Sequence, residues 1–274
     1  MPAEREFMMK RIGTILLCLL LVVSLCACGG EKSTKTALEQ ISENMQSLES
    51  LRFEMTMGMT MGVEGMELPI EVSMTGESTM EPELFHGILT LNMLGMNIDL
   101  ETYMETKDGE IISYTGSDMG SGMEWDAGRE EALPMEAMDL EVFLPLVSNF
   151  QKLEETGEVH GRNVVYYGAS LNPEAMKKMM ESGAMGPVDE VLGENGDPFE
   201  GLPENFEIPI TCGVDPEDLL ICSLSMDLSQ LFSQMDAEEL GGTVEKVTVE
   251  MEFYDFNQVE PIEIPAEARA AANG

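Results

Sequence analysis

The sequence holds 25 methionines in 274 residues, and their placement is the first chemical feature to explain. Met55, Met57, Met59 and Met61 fall at every second position, preceded by Phe53. In an extended strand that spacing puts all five side chains on one face. The thioether is flexible and polarizable and fits varied apolar shapes. With Val72 and Met74 on the next apolar run, and Met176, Met179 and Met180 on a short helical run, these residues are the candidate lining for an apolar guest. The same residues would also serve simply to pack helices onto a sheet, and exposed thioethers would act as a sink for oxidants.

Other reactive side chains are scattered. His86 and His160 are the only histidines, and no nucleophile motif accompanies either. Gly116-Ser117 and Gly120-Ser121 lack the strand–turn–helix serine pattern of hydrolases. The carboxylates Asp215, Glu217 and Asp218, and again Asp236, Glu238 and Glu239, cluster without the regular spacing of a calcium loop. They read better as a solvated acidic surface. Trp125 beside a Gly/Ser loop is open between core and rim. No catalytic residue, metal ligand set or cofactor is expected.

Of five cysteines, Cys18 and Cys26 lie in the N-terminal apolar region with Cys28 just after it, and Cys212 and Cys222 flank the turn Asp215-Pro-Glu-Asp218. With the hairpin centred near Glu217, the last two stand opposite each other on the apolar face. Two readings are open there: a cross-strand disulfide, which is geometrically demanding, or two buried free thiols. Their spacing makes neither a redox nor a zinc motif.

Lys plus Arg is 14 against 52 Asp plus Glu, a formal charge of −38. Such a chain is not a nucleic-acid binder, because phosphate contacts depend on basic residues displacing counterions. It has no electrostatic grip on anionic lipid headgroups either. Apolar residues make up 43%, enough for a core, so this is not a disordered acidic tail.

Residues Met9-Lys10-Arg11 and the apolar run from Ile12 to Leu25 form a charged and then a hydrophobic region of the length of a secretory signal. Met9 suits a start codon as well as Met1, since the first eight residues carry two glutamates. The following Leu25-Cys26-Ala27-Cys28 resembles the bacterial lipobox. That resemblance implies cleavage before Cys28 and a diacylglycerol on its sulfur; an ordinary signal cut after Ala27 is the alternative. The expected location is a bacterial cell membrane, lipid-anchored on the extracytoplasmic side.

Elements follow from periodicity. A helix is expected over Thr34 to Glu49, with Ala37, Ile41, Met45 and Leu48 on one stripe. The period then changes to two for a long strand from Leu51 to Val63, followed by strands at Leu68 to Thr75, Phe85 to Leu94, Ile98 to Glu105, Ile111 to Thr115 and near Met123 to Trp125. Apolar residues look one-sided throughout. A helix is expected over Pro134 to Phe150, then strands at Glu154 to His160 and Asn163 to Leu171, and a helix at Glu174 to Glu181. A Gly/Pro-rich loop covers 182–205. The last strands run through Ile208 to Gly213, Leu219 to Leu228 and Val244 to Phe256. The expected class is α+β, mostly β: a single curved antiparallel sheet, or half β-barrel, whose concave apolar face is covered by two or three helices.

The lipobox, the helix leading into a very long strand, Gly161-Arg-Asn-Val-Val-Tyr-Tyr167 and the closing Phe253-Tyr-Asp-Phe-Asn-Gln-Val-Glu-Pro-Ile-Glu-Ile-Pro265 resemble the LolA/LppX-type half-barrel lipoproteins, in particular uncharacterised Gram-positive relatives. The resemblance implies a signal over 1–27, a lipidated cysteine and leash over 28–34, a half-barrel domain over 35–268 and a tail over 269–274. It also implies acyl chains held between sheet and helices. No individual ligand position is carried over. The expected function is a non-catalytic surface lipoprotein binding a lipid or lipid-linked molecule, with the membrane as partner through Cys28, no nucleic acid, and any protein partner unknown. The alternative is a structural or sensory envelope interaction protein with a filled core.

Overall fold

The computed structural model describes residues 40–41, 43–63, 66–93, 96–107, 109–118, 120, 122–131, 147–172, 206–232 and 243–272. Alternation of apolar and polar residues along these stretches yields eleven strands: β1 (Ser50–Val63), β2 (Met66–Met80), β3 (Glu83–Met93), β4 (Met96–Lys107), β5 (Glu110–Asp118), β6 (Met123–Glu131), β7 (Val147–Val159), β8 (Arg162–Leu171), β9 (Ile208–Val214), β10 (Ile221–Asp227) and β11 (Thr243–Tyr254). They form one open antiparallel sheet ordered β6-β5-β4-β3-β2-β1-β11-β10-β9-β8-β7. The first and last strands therefore meet at its centre, where Phe53 stands opposite Phe253 and Met57 opposite Val249.

Because side chains alternate in a strand, this register assigns each residue to a face. On the core face lie Leu51 and Phe53 of β1, Val247 and Phe253 of β11, Leu224 of β10, and Ile208 and Ile210 of β9, all in one buried cluster. Ile41, Met45 and Leu48, in and just after the helical residues 40–41 and 43–46, join that cluster, as do Leu231 and Phe232 of α1 (Ser229–Phe232). The Met45 sulfur accepts a hydrogen bond from the Ile221 amide at 3.3 Å.

Two expectations are corrected. The first is the end of the helix expected over Pro134 to Phe150, whose residues 134–146 lie outside the described residues. Its last four residues instead begin β7, where Val147 pairs with Leu171 and the Phe150 ring stacks on Tyr167 at 4.9 Å. Those pairings outweigh the helical spacing of Val147 and Phe150. The second is one-sidedness. Leu84, Tyr103, Ile112 and Tyr114 are buried on the back face, in a second core with Ile262, Ile264 and Ala268. The closing segment reaches that face through a sharp turn. Asp255 and Asn257 take positive φ of 49° and 59°, which Asp and Asn tolerate better than most residues. Asn257 is fastened to the start of β1, its amide donating to the Ser50 carbonyl at 2.8 Å and its side-chain oxygen accepting from the Glu49 amide at 2.7 Å. The helix α2 (Ala266–Ala271) then lies against β5 and β6, with Arg269 Nη1 3.2 Å from Glu105. Trp125 packs partly buried against this second core, with its ring 5.8 Å from Tyr103.

Candidate functional site

The core face divides along β1. On β9, β10 and β11 it is closed: Ile210 is 2% exposed, Leu224 2% and Val247 0%. From β1 through β4 the apolar side chains beyond Phe53 and Phe85 are only partly buried. Met55, Met57, Met59 and Met61 on β1, Leu68, Ile70, Val72 and Met74 on β2, and Leu89 and Leu91 on β3 all share this state. Ile98 on β4 is 45% exposed, and Met66 at the start of β2 is 59% exposed.

The register brings seven of the candidate residues together. Met55 stands opposite Met74 and Met57 opposite Val72, while Phe53 faces Gly76. Gly76 matters sterically. A Cβ there would sit 2.6 Å from the Phe53 ring, so the absent side chain gives that ring its seat. Phe85 lies over Gly87, two residues along its own strand β3, and the Phe53 and Phe85 rings stack at 5.9 Å. The result is an aromatic floor at one end of the face and a bed of thioethers and aliphatics running from it to the β1–β2 and β3–β4 turns. Met176, Met179 and Met180 lie outside the described residues, as does Cys28.

Cys212 and Cys222 are both free and buried. A β-bulge between Ile221 and Ser223 takes Cys222 out of the ladder and leaves Leu224 opposite Cys212, so the register expected from a turn centred on Glu217 is not the one formed. Burial pushes the Cys212 thiol up to about 12 and Cys222 up to about 11; both stay protonated and unreactive at neutral pH.

The acidic turn beside them is held by a cation. Arg162 Nη1 lies 2.7 Å from both Asp215 and Asp218, and its guanidinium sits 5.1 Å over the Phe256 ring. Burial works to raise the Asp215 pKa. Hydrogen bonds from the Glu217 amide, the Arg162 guanidinium and the Asp218 backbone outweigh it and hold that carboxyl below its ordinary value. An open, polar pocket of about 380 Å³ borders this turn, lined by Gly161, Arg162, Asn163 and residues Asp215 to Asp218. Among the described residues no group of three His, Cys, Asp or Glu is placed to hold a metal ion. The second acidic group, Asp236, Glu238 and Glu239, lies outside them.

The histidines are tied to carboxylates on the back of the sheet. His86 lies 3.4 Å from Glu77 and 3.0 Å from Glu101, and stacks on Tyr103 at 4.3 Å. Tyr103 donates to Glu101 at 2.9 Å, and burial with that bond pushes its hydroxyl up to about 12. Arg52 continues the ladder to Glu77 and Asp255. His160 pairs separately with Glu252 at 2.9 Å and stacks on Tyr254. Sequence reasoning gave these groups no role; their partners become visible only once β2, β3 and β4 are placed side by side.

The fold is thus one large antiparallel sheet with few short helices among the described residues and an apolar face that is half closed. No described helix is long and apolar enough to cross a membrane. A family model described as a family of unknown function (DUF6612) matches residues 33–120, a stretch that ends just after β5 and takes in the open half of the face. Solved structures similar to the chain include LprF from Mycobacterium bovis, at 11% identity and TM-score 0.45, covering 86% of this chain and 98% of that one. A DUF1329 family protein from Desulfovibrio piger matches at 10% identity and TM-score 0.26, covering 81% and 91%. A beta-barrel-like protein of domain of unknown function DUF1849 from Brucella abortus matches at 8% identity and TM-score 0.27, covering 76% and 100%. No curated protein matches the chain.

Proposed function

We propose that this chain is a non-catalytic, exported lipoprotein of the LolA/LppX half-barrel type, tethered through Cys28 to the outer side of a bacterial membrane. Its methionine face holds a lipid or lipid-linked molecule. The observation that carries this reading is the partial exposure of Met55, Met57, Met59, Met61 and Met74 on the same face whose other half is closed. A contiguous, partly exposed apolar surface of this kind marks a binding surface in a soluble domain. Acyl chains would leave water for it with a gain of about 0.8 kcal/mol per buried methylene. Thioethers suit this task because their flexible stems accommodate chains of differing length and unsaturation. The acidic remainder of the chain keeps the domain soluble and off an anionic bilayer, leaving the lipid as tether.

The test is what the protein carries. Residues 31–274, lacking the anchor cysteine, are secreted, purified without detergent and extracted for mass spectrometry. Stoichiometric lipid that disappears when Met57 and Met59 are both changed to Asp, with the circular dichroism spectrum unchanged, supports a carrier. A protein that emerges empty and ignores added membrane lipids is not one.

A further inference from the structure

The strand register carries the methionine face past its apolar part. One row runs straight across the sheet from β1 to β6 as Met55, Met74, Leu89, Leu100, Ser117 and Glu124, each residue directly opposite the next. The row beside it runs Phe53, Gly76, Gly87, Thr102, Thr115 and Asp126. Both rows lie on the core face, and both change chemistry in the same order. Apolar groups and glycine hold β1 to β3, hydroxyls follow on β4 or β5, and carboxylates end the rows on β6. At about 4.8 Å per strand the change takes place over about 24 Å of sheet. Leu100, Thr102, Thr115 and Ser117 are half-buried, whereas Glu124 and Asp126 are exposed. The Asp126 carboxylate accepts from the Ala127 amide at 2.9 Å. The basic residues of β1 to β6, Arg52, Lys107 and Arg129, all alternate onto the back of the sheet. There Arg52 meets Glu77 and Arg129 meets Glu110.

An amphiphile lying along these rows has an apolar bed for its chain and a polar end for its head. Among the described residues of β1 to β6, that end offers hydroxyls and carboxylates and no basic side chain. An anionic head would give up water beside Glu124 and Asp126 without gaining a counter-charge. An ammonium would meet charge-assisted acceptors in the same place, and complementarity of this kind sets specificity more than raw affinity. We propose that the ligand is a membrane lipid whose head is amine-terminated and net positive, lying with its tail over β1 to β3 and its head toward β6. Thr102, Thr115 and Ser117 flank the head, and Glu124 and Asp126 select its charge. This inference rests on the reading of the methionine face as a lipid surface.

The test uses the full-length protein in phosphatidylcholine vesicles that carry a trace of one of two lipids with the same acyl chains, lysyl-phosphatidylglycerol or phosphatidylglycerol. Each probe holds a photoreactive group in its tail, and peptide mass spectrometry counts and places the crosslinks. The cationic probe should label β1 to β3 about tenfold more than the anionic one. E124K/D126K should invert that ratio. Lysine is well tolerated on an edge strand, and an unchanged urea midpoint verifies the fold. E67Q/E71Q removes exposed carboxylates from the back of β2 and should leave the ratio as it was, which separates a local head site from the pull of the whole acidic domain. Equal labelling of the face by both probes overturns the head assignment and leaves the lipid surface standing. A preference that survives E124K/D126K, or that is lost in E67Q/E71Q, overturns it in the same way, as do tail crosslinks confined to β5 and β6. No label on the face from either probe overturns the lipid surface itself.

Discussion

The two halves of the core face are made from the same alternating pattern and differ in what closes them. On β11, Val247, Val249 and Met251 are buried, while their partners one strand over on β1, Met59, Met57 and Met55, are only partly buried. The closed half receives α1 and the helical residues 40–41 and 43–46, which bring Leu231, Phe232, Ile41 and Met45 into its core. Side-chain choice follows the same division. The closed half favours β-branched residues that fit a pleated, packed surface, whereas β1 carries four unbranched thioethers in succession. Rigid shape suits a partner that never changes. Flexible sulfur suits one that varies, and the proposed function rests on that distinction.

The largest expected break in this comparison comes from a buried charge. V247D places a carboxylate at a fully buried position and is expected to cost several kcal/mol and to unfold the domain. M59D, at the residue opposite, should fold with a much smaller loss. Urea titrations of the pair measure the difference, and equal losses would erase the division between the halves. Next in size is F253A, expected to cost about 3–5 kcal/mol as a large-to-small core substitution, again by urea midpoint. G76V follows. Its Cβ would meet the Phe53 ring at 2.6 Å and the His86 carbonyl at 3.1 Å, and overpacking of this kind costs about 1–3 kcal/mol. The pair G76V and F53A should recover part of that loss, which a double-mutant cycle would show.

A smaller effect concerns acid stability. Asp215 has a folded-state pKa below its ordinary value, so its contribution is present above the unfolded carboxylate value of about 3.9. It is lost as pH falls through the lower folded value. D215N should therefore destabilise the protein at neutral pH by about 1–3 kcal/mol, and the difference from wild type should shrink toward acid. A difference independent of pH would show that charge at Asp215 is not what Arg162 holds. The smallest effect is chemical. Cys212 and Cys222 should stay unlabelled by a thiol reagent at pH 8 until the protein is unfolded, given their burial and raised pKa values.

Much of the sheet was legible because a period of two is a strong local signal. Leu51 to Val63, Leu68 to Thr75 and Ile98 to Glu105 all lie within observed strands, and the alternation of Met55 through Met61 put them on one face. What the sequence did not disclose were features set by distant partners. The back-face core needs Ile262 and Ile264 folded over Tyr103 and Tyr114, and nothing local in either segment announces the other. The start of β7 reads as a helix because Val147 and Phe150 are three residues apart, and only pairing with Leu171 and stacking on Tyr167 decides otherwise. The bulge that takes Cys222 out of the ladder has no Gly or Pro on its own strand to mark it. The opposition of Met55 to Met251 needs the first and last strands to be neighbours, which periodicity alone does not say.

The most direct test of the half-open face is a methionine oxidation footprint. The protein would be exposed to a brief peroxide pulse with and without bound lipid, and each methionine's sulfoxide read by peptide mass spectrometry. Met55, Met57, Met59, Met61 and Met74 should oxidise readily when the face is free and be protected when lipid is bound, with Met226 and Met251 slow in both states. Equal oxidation of the β1 methionines with and without lipid would contradict the assignment of that face to a ligand.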